Sequence, residues 1–159
     1  MIIGEGEAVV RRAPDEVLEF VMDLERYRQA DRKIGAIASL RRTGDVAEAR
    51  FRARMLGLPG PMVTQVLRLT PGQRIDVRNA PSWLDRLMAF EGVITCEPAC
   101  GGTRVYHREA FELRRPLSWL LGPVLQRWLR HDTAAEVARM QELLERAPAS
   151  TERVQRPMN

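Results

Sequence analysis

"FEGVITCEPACGGTRVYHREAFEL", residues 90–113, holds the reading on which the fold turns. Two extended segments, 90–97 and 103–114, flank Pro98-Ala99-Cys100-Gly101-Gly102, whose composition marks a turn. In the second segment Thr103, Val105, His107, Glu109, Phe111 and Leu113 alternate with Arg104, Tyr106, Arg108, Ala110, Glu112 and Arg114. A strand sends alternate side chains to opposite faces. The set ending in Val105, Phe111 and Leu113 belongs to the core, so His107 and Glu109 are expected to point inward with it.

Toward the N-terminus the same alternation recurs. In 46–56, Ala47, Ala49, Phe51, Ala53 and Met55 alternate with Glu48, Arg50, Arg52 and Arg54, which predicts a half-buried antiparallel strand. Further strands are expected at 2–11, 34–42, 62–70 and 74–79, with turns at Thr43-Gly44-Asp45 and Pro71-Gly72. Leu58-Pro59-Gly60-Pro61 reads as a chain break. Ala13-Pro14-Asp15-Glu16 opens a helix, since proline suits the first turn and acidic residues there favour the helix dipole. A second short helix is expected over 24–31, and 81–89 reads as a short helix or lid.

Toward the C-terminus the chain turns helical. Residues 117–121 predict a short turn, Gly122-Pro123 a break and a natural hinge, and 123–146 one long helix stopping before Pro148. Leu125, Leu129, Met140 and Leu143 share one face of it, with Asp132 and Glu136 in the middle of that stripe. A rotated stripe through Thr133, Val137 and Leu144 is the alternative, and it would carry Asp132 to the edge. The order of elements predicts an α+β fold: a curved antiparallel sheet of about seven strands around one long C-terminal helix, with two short helices after the first strand. A single domain is expected over 1–147, followed by a polar, disordered tail over 148–159.

The 159 residues are 45% hydrophobic and 29% charged, as in ordinary soluble domains. No charged segment followed by an apolar one opens the chain, and no apolar run approaches the ~20 residues of a membrane span. A cytoplasmic location is expected. The net charge is +4, and Lys33 is the sole lysine. Such arginine bias reads as compositional, and the arginines at 50, 52 and 54 as a solvated face. They lack the interleaved aromatics that stack nucleic-acid bases, so no nucleic acid is expected. Cys96 and Cys100 are too few to staple the fold. With His107 they fall short of a metal-ligand set, so no metal is expected. No phosphate loop or nucleophile elbow occurs, and no cofactor is expected.

Three stretches resemble a known family. "RRAPDEVLEFVMDLERYRQAD", "FEGVITCEPACGGTRVYHREAFEL" and "PVLQRWLRHDTAAEVARMQELLE" are similar to the opening, the late hairpin and the C-terminal helix of the START-related helix-grip superfamily (SRPBCC), in its polyketide cyclase/dehydrase and lipid-transport-like branch. Where many members carry Tyr-Pro-Glu-Trp, this chain has Tyr27-Arg28-Gln29-Ala30. The resemblance covers about residues 3–145 and implies a helix-grip fold with an internal cavity for lipids, sterols, hormones or polyketides. These motifs mark architecture rather than activity.

The expectation for function is a cavity between sheet and C-terminal helix that binds a small hydrophobic or amphipathic molecule. His107, Glu109, Phe111, Phe51, Met55, Trp83, Met88, Leu125, Leu129, Asp132 and Glu136 are the candidate ligand-binding residues. The alternative is a polyketide aromatase/cyclase or dehydratase, with His107 as acid/base and Glu109 or Asp132 orienting it. Asp132 is the favoured partner of His107. A histidine so placed also serves simply as a bonded core residue. Trp83, Leu84, Leu87, Met88, Trp119 and Leu120 read as a core cap or as a hydrophobic gate that touches a membrane or carrier protein transiently. Monomer and homodimer both remain open.

Overall fold

In a computed structural model, which describes residues 1–148, the chain forms one seven-stranded sheet, three α-helices and a 3-10 turn. The strands are β1 (Ile2–Val10), β2 (Ile34–Thr43), β3 (Val46–Met55), β4 (Leu58–Thr70), β5 (Arg74–Asn79), β6 (Met88–Ala99) and β7 (Gly102–Leu113). They lie in the order β1-β7-β6-β5-β4-β3-β2, every neighbouring pair antiparallel. Of the tail expected over 148–159, residues 149–159 fall outside the described residues.

The helices are α1 (Pro14–Met22), α2 (Leu24–Tyr27) and α3 (Leu117–Arg146), and the 3-10 turn spans Trp83–Arg86. Pro14 occupies the first turn of α1, and the Glu16 carboxylate accepts the Ala13 N–H at 3.1 Å. Val17, Leu18, Val21 and Leu24 of α1 and α2 join Ala49, Phe51, Leu67, Ile75, Ile94 and Val105 of the sheet in the main core. A smaller core gathers Ile2, Phe111, Leu125 and Leu129.

Two expectations are corrected. Leu58-Pro59-Gly60-Pro61 does not break the chain but begins β4, and the turn falls at Leu56-Gly57. β5 pairs only with Gln65–Thr70, so the start of β4 is bare on that side and a proline's missing N–H loses no ladder bond there. Nor does Gly122-Pro123 interrupt the last helix, since α3 is continuous from Leu117 with Pro123 inside it. The carbonyl that Pro123 leaves free belongs to Trp119, in a turn exposed to water.

α3 packs on β1 and β7. Gly4 and Gly6 permit the close approach: a Cβ on Gly4 would lie 2.3 Å from Thr133 Oγ1, and one on Gly6 2.8 Å from the Thr133 carbonyl. The helix is therefore seated directly over the strand, with Leu125, Leu129, Thr133, Glu136, Val137, Met140 and Leu144 buried. The buried face thus takes in both stripes, Leu125, Leu129 and Met140 of the first with Thr133, Val137 and Leu144 of the second, and Asp132 falls at its edge with 16% of its side chain exposed.

Candidate functional site

The sheet's concave face, α1–α2 and the loop 31–33 enclose a cavity with an empty volume of about 750 Å³ including its open mouth; about 70 Å³ of it accepts the centre of a water molecule. Val21, Leu24, Phe51, Val63, Leu67 and Phe90 give most of it an apolar wall. Among the described residues, α3 contributes nothing to that wall. The expectation of a cavity between sheet and α3 is corrected accordingly, because the glycine-permitted contact with β1 closes the space there.

One pole of the cavity is ionic. Lys33 Nζ lies 2.6 Å from Glu136 Oε2, 3.0 Å from Asp31 Oδ1, 3.1 Å from Asp132 Oδ2 and 3.2 Å from Glu109 Oε2. Its side chain is only 11% exposed. Thr133 Oγ1 donates to Glu109 Oε2 at 2.9 Å, and the Tyr27 hydroxyl donates to Glu136 Oε1. His107 is buried, with Nδ1 3.1 Å from Glu136 Oε1 but off-axis for a hydrogen bond. Arg139 Nη2 approaches Asp132 Oδ1 at 4.0 Å. The carboxylates of Asp31, Glu109 and Glu136 have the mutual spacing of a cation site. The Lys33 ammonium, within 3.2 Å of all three, fills the position such an ion would take.

Burial and charge set the protonation of this pole. Burial, reinforced by the Glu136 charge and only partly offset by Lys33, pushes the Asp31 carboxyl up to about 7. Burial also opposes ionisation of Glu136, yet the charges of Lys33 and His107 hold its carboxyl well below the usual carboxylate range. Burial disfavours a charged His107, but Glu136 outweighs it and raises the imidazole above its ordinary value. Lys33 stays charged despite burial because four carboxylates surround it. Burial and the nearby carboxylates raise the Tyr27 phenol well above its ordinary value, so it remains a donor. Among the described residues, His107 Nε2, Glu109 Oε1 and Asp31 Oδ2 have no protein hydrogen bond. All three residues line the cavity, so these atoms are available to a ligand.

Of the residues picked out in sequence, His107, Glu109, Phe111, Phe51, Met55 and Met88 line the cavity. Glu136 and Asp132 reach its ionic pole from behind, through Lys33. His107 meets Glu136 and not the favoured Asp132, because the buried phase of α3 aims position 136 inward. Leu125 and Leu129 pack in the smaller core, where α3 crosses β1 and β7. Trp83 is 66% exposed on the 3-10 turn and does not reach the cavity. Trp119 and Leu120 are likewise exposed, whereas Leu84 is buried. Tyr27, Asp31 and Lys33 were not identified as site residues. The available signal was the single lysine of a chain that otherwise uses arginine.

A sheet gripping a long helix, with an apolar cavity and one ionic pole, defines a helix-grip protein built around an internal pocket. Residues 1–145 match the family described as polyketide cyclase / dehydrase and lipid transport, and the chain belongs to it. Three solved structures share the fold. TTHA0849 of Thermus thermophilus is 19% identical, with a TM-score of 0.75 over 90% of this chain and 97% of that one. The Zhui aromatase/cyclase of a Streptomyces species is 13% identical, with a TM-score of 0.70 over 91% of this chain and 93% of that one. The di-domain aromatase/cyclase StfQ of the steffimycin biosynthetic pathway is 14% identical, with a TM-score of 0.71 over 91% of this chain but 50% of that one. Among curated proteins, none matches this chain in sequence.

Proposed function

We propose that this protein binds a small hydrophobic or amphipathic molecule, lipid or polyketide-like, inside the cavity, with its polar group at the pole formed by His107, Glu109 and Asp31. The observation that carries this reading is the asymmetry of the pocket: apolar walls, and charge gathered at one pole with acceptor atoms left free. An apolar body leaves water for the walls while a hydroxyl or amine meets the free oxygens. Family membership supports the same class of ligand. Native mass spectrometry of gently purified protein tests it. A bound lipid or polyketide-like mass is expected. A ligand-free protein that binds no member of a lipid and aromatic library would overturn it.

A second reading, aromatase/cyclase or dehydratase, draws on the Asp31 carboxyl lifted to about 7 in the same cavity that His107 lines. General acid–base work favours groups titrating near neutrality. In a ring closure, one group takes the proton from a carbon between two carbonyls. That carbon bonds to a ketone carbon, and the resulting alkoxide takes a proton from the other group. Turnover of a poly-β-ketone mimic by wild type, lost in His107→Ala and in Asp31→Asn, is expected on this reading. Full turnover by His107→Ala would dismiss the histidine.

A further inference from the structure

One end of the sheet carries apolar side chains on three separate projections. β3 ends at Met55, β4 begins at Leu58, β6 begins at Met88 and β7 ends at Leu113. The antiparallel register, with Met55 opposite Leu58 and Met88 opposite Leu113, puts all four at the same end. Beyond it project the β3–β4 turn with Leu56 and Leu58, the 3-10 turn and its cap with Trp83 and Leu87, and the first turns of α3 with Trp119 and Leu120. Each of these six side chains is exposed. The Arg114 N–H donates to the Leu87 carbonyl at 2.9 Å, which sets the 3-10 turn beside the start of α3. Gly57 and Trp128 line one surface hollow, which sets the β3–β4 turn beside the same helix.

These residues are not what such positions favour. Leu56 adopts φ +54°, in the left-handed region where Gly and Asn are the usual residues, and yet a leucine is held there toward water. All three tryptophans of the chain, Trp83, Trp119 and Trp128, lie at this end. The charge around them has one sign. From Leu113 to His131 the chain carries Arg114, Arg115, Arg127 and Arg130 and no carboxylate. All four arginines are exposed, and among the described residues none makes an ion pair. At ~100° per residue, Arg127 and Arg130 share the exposed face of α3 with Trp119 and Leu120, two to three turns further along. The carboxylate of the 3-10 turn, Asp85, is engaged by the Ser82 N–H at 2.8 Å.

We propose that this end of the molecule is a docking surface for a membrane that carries anionic lipids. Trp119, Leu120 and the tips of the two turns enter the zone between head groups and acyl chains, and the unpaired arginines meet lipid phosphates. Tryptophan favours that zone because its ring is apolar while its N–H needs a polar partner. Each arginine held near an anionic bilayer adds to the attraction. A fluid bilayer needs no fixed match to three separate projections, whereas a rigid partner does. A second copy docked about a two-fold axis would set these arginines against their own counterparts. Docking requires no ligand in the cavity, so it is separable from the binding reading above.

Flotation of the full chain with vesicles tests this, using phosphatidylcholine alone and an equimolar mixture of phosphatidylcholine and phosphatidylglycerol. Binding to the mixed vesicles is expected, with tryptophan emission shifted to the blue, and binding to phosphatidylcholine alone should be weaker by about tenfold or more. The double variant Trp119→Ser, Leu120→Ser should lose about tenfold or more on the mixed vesicles, since both side chains leave water only on docking. Arg127→Gln and Arg130→Gln should each lose about fivefold. Arg41→Gln removes the same charge from an exposed arginine at the opposite end of the sheet and should leave binding unchanged. Melting curves report that each variant is folded. A loss as large in Arg41→Gln as in Arg127→Gln would reduce the effect to net charge and overturn the docking face. Equal binding to both kinds of vesicle, or full binding by the double serine variant, would overturn it as well. So would wild-type protein that ignores the mixed vesicles; if it then sediments as a dimer that the double variant dissociates, a second copy covers this face instead.

Discussion

The molecule departs from the inside–outside rule in two places, and the two departures differ in kind. At the ionic pole, Lys33 and four carboxylates are drawn into the interior. At the start of α3, Trp119 and Leu120 stand 87% and 75% exposed. Charges taken from water are tolerable only when each has a partner, and here every charge meets another within about 4 Å. The exposed apolar residues have no such compensation, and leaving them in water strains nothing around them. One helix contributes to both places: its first turns carry Trp119 and Leu120, and its middle carries Asp132 and Glu136. The pole should therefore be indispensable to the fold, and the exposed turn dispensable.

The largest effect is expected from Lys33→Met. It leaves four carboxylates facing one another in the interior, a loss of about 3–5 kcal/mol and, in a chain of this length, a melting temperature lower by roughly 10 °C. Lys33→Arg keeps the charge but should recover only part of it. A planar guanidinium cannot take the four-sided arrangement that a compact ammonium accepts. Chemical denaturation of both variants measures the difference. Wild-type stability in Lys33→Met would break the comparison at its stronger end.

An apolar truncation provides the scale. Leu129 is fully buried where α3 crosses β1 and β7, so Leu129→Ala should cost about 2–5 kcal/mol. Denaturant midpoints would place it beside Lys33→Met. A loss below about 1 kcal/mol, under the usual range for such a truncation, would mean that the seat of α3 is loosely packed.

The pole's contribution should also vary with pH. Asp31 titrates at about 7 in the folded protein against an ordinary 3.8, so the fold holds a proton that the unfolded chain releases. That contribution is complete below about pH 4 and is lost as pH rises to 7. His107, also raised, contributes fully below its ordinary 6.5 and less as pH climbs through its folded value. Glu136 has the opposite sign: its contribution is present above 4.5 and is lost in acid, as pH falls toward its depressed folded value. Between about pH 5 and 8 stability should therefore fall with rising pH, at up to about 1.4 kcal/mol per unit for each proton released. Asp31→Asn should remove its share of that slope up to about pH 7 and leave the His107 share. Urea titrations across this range decide it; a slope unchanged in Asp31→Asn would place the proton elsewhere.

How much of this was legible in sequence follows from the physics of each element. Alternation in 103–113 placed His107 and Glu109 inward, because a strand's period leaves only two choices. The phase of α3 was less certain, since two stripes are close in angle, and the structure buries both, with the glycines of β1 seating the helix at Thr133. Asp31 and Lys33 lie where no periodicity operates, between α2 and β2, and Lys33 meets its helix partners 99 and 103 residues away. The identity of Lys33 was informative although its position was not. A chain that uses arginine everywhere else keeps its one lysine at the centre of four carboxylates.

The smallest effect is expected at the exposed turn. Trp119→Ser and Leu120→Ser remove large apolar side chains, yet neither belongs to either core cluster. Replacing a residue already in water changes its environment little, so each should alter stability by less than about 0.5 kcal/mol. Pro123 sits one turn further along the same stretch, and the fold already tolerates the helix bond it lacks. Melting curves of the two serine variants beside Leu129→Ala test the contrast within a single helix. A drop comparable to that of Leu129→Ala would mean that these side chains are covered in solution by a surface the isolated chain does not supply. Unchanged curves would leave the ionic pole as the departure on which the fold depends.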